Sequence, residues 1–152
     1  MGLHSPDELQ KEAKEFVCQW DKVSFKRFVK DDEALKKNSQ VEIDAVYSVS
    51  ETVFLFKLDV NITRPTSLEE FTLLVGYEYE KEISPSHQES IDLVVEKLGP
   101  IAFEILNQEV VRLGAYSMES PARISIRDQA NFWEYFCNQP EEEISMRSRA
   151  LN

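Results

Sequence analysis

Between residues 22 and 79 apolar side chains recur at every second position in four separate stretches, and after residue 90 they recur at helical spacing instead. This change of period constrains the chain more than any other feature, because period 2 belongs to strands with one covered face and period 3.6 to helices. Residues 22–29 read as a first strand. Val41, Ile43, Ala45, Tyr47 and Val49 alternate through a second, and Phe54, Phe56, Leu58, Val60 and Ile62 through a third. Phe71, Leu73, Val75, Tyr77 and Tyr79 mark a fourth. The breaks at Ser50-Glu51 and Arg64-Pro65-Thr66-Ser67 are too short for crossovers, so neighbouring strands should be antiparallel, with a meander as the simplest topology. The expected class is α+β: a four-stranded antiparallel meander followed by helices, with an extra N-terminal helix.

Ser5-Pro6-Asp7-Glu8 supplies that first helix with a start. Ser5 is placed to cap, Pro6 suits the first helical position, and Glu8 completes a capping box. Leu9, Ala13, Phe16, Val17 and Trp20 follow at helical spacing, which predicts an amphipathic helix over residues 1–20. In the second half, Ile91, Val94, Val95 and Leu98 form one stripe before Gly99-Pro100 interrupts. Proline suits a helix start and not its interior, so a new helix is expected there, carrying Ile101, Ile105, Leu106 and Leu113 and stopping at Gly114. Residues 122–127 read as extended, and Asp128 as the cap of a last short helix bearing Phe132, Trp133 and Phe136. Beyond Pro140 the chain turns polar, so 139–152 is expected to be a flexible tail after a main domain of residues 21–138.

Composition removes several functions. Acidic residues number 28 against 17 basic, a net charge of −11, which opposes binding to phosphate backbones. No apolar run approaches the roughly 20 residues of a membrane span, and the polar N-terminus builds no apolar leader core, so a cytoplasmic protein without membrane insertion is expected. Two cysteines, Cys18 and Cys137, make no disulfide framework. Two histidines, His4 and His87, stand at no ligand or dyad spacing, and no Cys-x-x-Cys, His-Glu-x-x-His or Gly-x-Ser-x-Gly occurs. His87-Gln88-Glu89 lacks the Pro-Cys-x-x-Cys partner of zinc deaminases. The acidic runs at Glu69-Glu70, Glu78, Glu80, Glu82 and Glu141 to Glu143 read as solvated faces. The reading is a protein without cofactor or metal that is not an enzyme.

Three stretches carry a resemblance to the SecB export chaperones. Lys22-Val23-Ser24-Phe25 resembles the family's first-strand motif. Leu98-Gly99-Pro100-Ile101-Ala102-Phe103-Glu104-Ile105-Leu106 with Glu109-Val110-Val111 resembles its long helix and Pro-bearing entry. Ala122-Arg123-Ile124-Ser125-Ile126 followed by Asn131-Phe132 resembles its extended segment and last helix. The resemblance implies a homo-oligomeric holdase, a dimer or tetramer, that binds unfolded or extended polypeptide in apolar grooves, for export or as a dedicated chaperone. The alternative is a non-catalytic adaptor or inhibitor for one partner.

The client-binding candidates are Phe132, Trp133, Tyr135 and Phe136, with Tyr77 and Tyr79 from the fourth strand. In the family, acidic residues flanking the first-strand motif help recruit the SecA motor. Lys22 and Lys26 reverse that charge and argue against SecA docking, whereas Leu68-Glu69-Glu70 keeps the Leu-and-acid character of a docking turn.

Overall fold

In the computed structural model, which describes residues 4–27, 40–114 and 123–146, the alternating runs pair into one antiparallel sheet. Its strands are β1 (Glu15–Arg27), β2 (Gln40–Ser50), β3 (Val53–Thr63) and β4 (Ser67–Glu78). Helices follow the sheet and a short one precedes it, as expected. The strand order is β1-β4-β3-β2, which corrects the simple meander. Only β2, β3 and β4 follow one another through hairpins. β1 lies beyond β4, a Greek-key order with the chain direction reversed. Residues 28–39, between β1 and β2 in the chain, lie outside the described residues.

The N-terminal helix is shorter than the apolar stripe predicts. α1 (Pro6–Lys11) starts as read, with Ser5 Oγ accepting from Glu8 N, but Phe16, Val17 and Trp20 belong to β1. Tertiary demand overrides the local pattern here. β4 is a long central strand, and Glu15–Trp20 provides the ladder that its residues Leu73–Glu78 require on the side away from β3. A bulge between Trp20 and Lys22 then resets the alternation. Phe16, Cys18 and Trp20 before it, and Val23 and Phe25 after it, therefore all face the same side, opposite Tyr77, Val75, Leu73, Phe71 and Glu69.

That side is the core. Phe54, Phe56, Leu58, Val60 and Ile62 of β3 are fully buried on it. α2 (His87–Leu93) covers it after a complete capping box between Ser86 and Glu89. The backbone N–H groups of Ser86 and His4 hold the Glu89 carboxyl below the usual range. α2 does not stop at Gly99-Pro100. Pro100 lacks an N–H and its ring would crowd the carbonyl four residues back. The chain answers by widening one turn, Val94–Leu98, in which Gly99 N donates to Val94 O, and runs on into α3 (Gly99–Gly114). Ala102, Phe103, Leu106, Val110 and Leu113 continue the buried stripe.

The β2–β3 turn holds Glu51 at φ 52°, in the left-handed region. That conformation costs an L-residue about 1–2 kcal/mol. Glu51→Gly is therefore expected to raise stability by about 1 kcal/mol in a urea titration, and a lower midpoint would contradict this account of the turn.

Candidate peptide-binding site

The last helices set the walls of the site. Asn107 of α3 clamps the segment entering α4 (Ile126–Cys137): its Oδ1 accepts from Ile124 N at 2.7 Å and its Nδ2 donates to Ile124 O at 3.1 Å. Ser125, not Asp128, caps α4, its Oγ accepting from Asp128 N at 3.0 Å. Serine precedes the helix by one residue and its short side chain reaches back to the third N–H, leaving Asp128 in the first turn where its charge suits the helix dipole. After Pro140 the chain does not simply fray. α5 (Glu141–Ile144) buries Ile144, and Ser145 forms a parallel bridge with Tyr47 of β2. Residues 147–152 lie outside the described residues.

The aromatic candidates divide sharply. Phe132 and Phe136 are buried, and Trp133 packs its ring 6.0 Å from Phe56, 5.6 Å from Phe103 and 5.7 Å from Phe136, centroid to centroid. It lies so close over Gly99 that a Cβ there would stand 2.2 Å from the indole. Tyr77 and Tyr79 are buried as well, Tyr79 Oη donating to Leu9 O at 2.7 Å, and burial pushes its hydroxyl far up in pKa. Only Tyr135, 52% exposed, offers an open ring. Trp133 was expected beside it as a free surface. It is partly buried instead, packed against the core beside the buried Phe132 and Phe136.

The docking turn is corrected in the same way. Glu69 points to the covered face, fully buried, with Oε2 accepting from Arg64 Nε at 3.2 Å and in ion-pair contact with Nη2 at 3.1 Å. Glu70 points to the open face, where the bond from Lys22 Nζ at 2.9 Å holds its carboxyl below the usual range. Leu68 is half-buried. The three residues do not form one accessible patch in the single chain.

An open groove of about 330 Å³ runs between β2 and α4, lined by Val41, Ile43, Asp128, Asn131, Phe132 and Tyr135. Two of the aromatic candidates thus meet there. Val41, Ile43, Asp128 and Asn131 were not singled out from sequence, since Val41 and Ile43 look like ordinary core until β2 is known to be an edge.

The groove adjoins a backbone with hydrogen-bonding capacity. Met146 N donates to Tyr47 O at 2.9 Å, so the Tyr47 carbonyl faces away from β3. β2 and β3 pair without interruption, so by alternation the N–H and C=O groups of Val41 and Ile43 face outward too. Among the described residues nothing engages them.

A larger cavity of about 520 Å³ lies between α1 and the segment after β4, lined by charges of both signs including Glu12, Lys14, Glu80 and Lys81. His4 and Tyr79 also line the larger cavity. His87 Nδ1 is hydrogen bonded with Tyr47 Oη at 2.7 Å, and His4 N bonds the Glu89 carboxylate. Partial burial pushes the thiols of Cys18 and Cys137 up, away from an activated nucleophile. Among the described residues no group of three or more His, Cys, Asp or Glu could hold a metal ion, and no helix is long and apolar enough to cross a membrane.

No family model and no curated protein matches the sequence. Among solved structures, the chain is similar to a SecB-like chaperone of Mycobacterium tuberculosis, solved in complex with a ChAD peptide from the HigA1 antitoxin. The TM-score is 0.60 at 10% identity, over 80% of this chain and 95% of that one. A protein of unknown function from Streptococcus agalactiae matches with a TM-score of 0.43 at 11% identity, over 74% of this chain and 98% of that one. The chain therefore shares the fold of a SecB-like chaperone.

Proposed function

We propose that this protein is a non-catalytic SecB-like chaperone that holds extended polypeptide segments in the groove between β2 and α4. The observation that carries this reading is the coincidence of an open strand edge with an apolar trough. Val41 and Ile43 supply both the outward backbone groups and the inner wall, and Phe132 and Tyr135 supply the opposite wall. An extended segment can add to such an edge through main-chain bonds while alternate side chains enter the trough, which is how sheet edges bind peptides without demanding one sequence. The M. tuberculosis SecB-like chaperone of similar fold, solved in complex with a peptide, supports the same role.

The working compartment in this reading is the cytoplasm, and the assembled form is a homo-oligomer. β1 is the other sheet edge, where Lys22, Lys26, Arg27 and the bulge limit open-ended pairing to a closed contact between two copies. Light scattering should give a mass above the monomer across the micromolar range; a strictly monomeric mass would remove the assembly.

The groove is tested by Val41→Thr with Ile43→Thr, which keeps β-branched side chains and makes the wall polar. Suppression of aggregation of a urea-unfolded client should weaken by about tenfold, from the apolar area lost. Wild-type capture should persist in high salt, because an apolar trough is screened little. If the wild type captures no unfolded client while one native partner binds tightly, the chaperone reading gives way to a single-partner adaptor.

A further inference from the structure

The two halves of the β2 edge are treated differently by the rest of the chain. The outward backbone groups belong to the odd-numbered residues, as the Met146 bond to Tyr47 shows. Going along the strand, Val41 and Ile43 are open among the described residues. The next outward donor, Ala45 N, is already taken by its neighbour's side chain, Asp44 Oδ1, at 2.9 Å. Further along, the outward acceptor Tyr47 O is taken by Met146 N, and the bridging segment is anchored by Ile144, buried at 3% exposure.

The Asp44 bond is not demanded by packing of the core, whereas the Ser145–Met146 segment follows directly on Ile144, which is buried in it. A solvent-exposed Asp44 has water available as a partner, and its position directly opposite Asp59 on the open face makes an unfavourable like-charge pair. Both place a partner on an edge group that strand addition would otherwise use. The boundary they create, between Ile43 and Ala45, is also where the groove ends: its β2 lining is Val41 and Ile43 and nothing beyond.

We infer that Asp44 and the Ser145–Met146 segment are stops that confine strand addition to the start of β2 and so fix the length and register of the bound segment. This rests on the peptide-binding reading above and goes beyond it by naming which residues limit the footprint. A segment entering along Val41 and Ile43 meets the Asp44 carboxylate where its next main-chain bond would form. If it displaced Asp44, it would then meet a strand already in place at Tyr47. Unrestricted edges recruit further chains, and the same two stops keep this edge from propagating.

The test uses the full chain and apolar peptides of about five and about nine residues, lengths that span the open part of β2 and most of the strand respectively at ~3.3 Å per residue. In the wild type both lengths should bind with similar affinity, and binding should slow amide exchange at Val41 and Ile43 and not at Ala45. In Asp44→Ala combined with Met146→Pro, which removes one acceptor and one donor, the longer peptide should gain about tenfold and the shorter one nothing. Asp44→Asn, which keeps an acceptor oxygen, should behave as wild type. A chain ending after Ile144 serves as the second variant in case the proline disturbs α5, with thermal melts confirming the fold of each. Affinity that rises with peptide length in the wild type, or no gain in either variant, overturns the stops while leaving the groove. Failure of the wild type to bind either peptide overturns the groove itself, and the stops with it.

Discussion

Trp133→Ala should cost about 3–5 kcal/mol of stability, and client capture should fall only as far as the folded population falls. The indole touches Phe56 of the sheet and Phe103 of α3, and it nests over Gly99, so its removal leaves a cavity at the junction of three elements. Tyr135→Ala should do the opposite. Its ring is 52% exposed on the rim of the groove, so the melt should move by no more than about 0.5 kcal/mol while capture weakens. Thermal melts and an aggregation-suppression assay on the two single variants separate these outcomes. A stable Trp133→Ala protein that has lost its clients would return Trp133 to the binding surface and would place the groove wrongly.

Glu69→Ala is the second change expected to be severe. It removes the carboxylate paired with the Arg64 guanidinium, 3% exposed, and breaking a buried pair from one side costs about 3–5 kcal/mol. Replacing both partners, Arg64→Met with Glu69→Leu, should recover most of that loss, because the charges then no longer need solvation. Glu70→Ala, one residue along on the open face, should leave the urea midpoint nearly unmoved. Equal effects at Glu69 and Glu70 would mean that the Arg64 pair contributes nothing beyond an exposed one.

These two residues show how far the sequence could be read. Alternation assigns Glu69 and Glu70 to opposite faces of β4. It does not say which face is covered at that end, and acidic residues are expected outside by default, so the buried one was missed. The strands themselves were legible because β2, β3 and β4 alternate over their whole lengths with turns between them. The order was not, since periodicity describes a strand's faces and says nothing about its neighbours.

Phe16, Val17 and Trp20 fit a helical stripe as well as an edge strand, and only the need of β4 for a second partner decides between them. Pro100 was rightly read as incompatible with a regular helix. The remedy, one wide turn in place of a break, depends on the continuous apolar surface beneath α2 and α3. The groove was half legible. Its aromatic wall stands out at 132–136, whereas the β2 wall acquires meaning only from a strand order fixed by contacts distant in sequence.

The strand order has a consequence for regulation by concentration. β1 and β2 are the two ends of the sheet, with β4 and β3 between them. A contact between copies along β1 and a client along β2 therefore draw on different backbone groups, and neither event need exclude the other. Titrating the protein against a fixed client should then yield one intrinsic affinity per chain whatever the assembly state, with no lag or sigmoid as subunits associate. Such independence would let a cell adjust holding capacity simply by the amount of chain it makes.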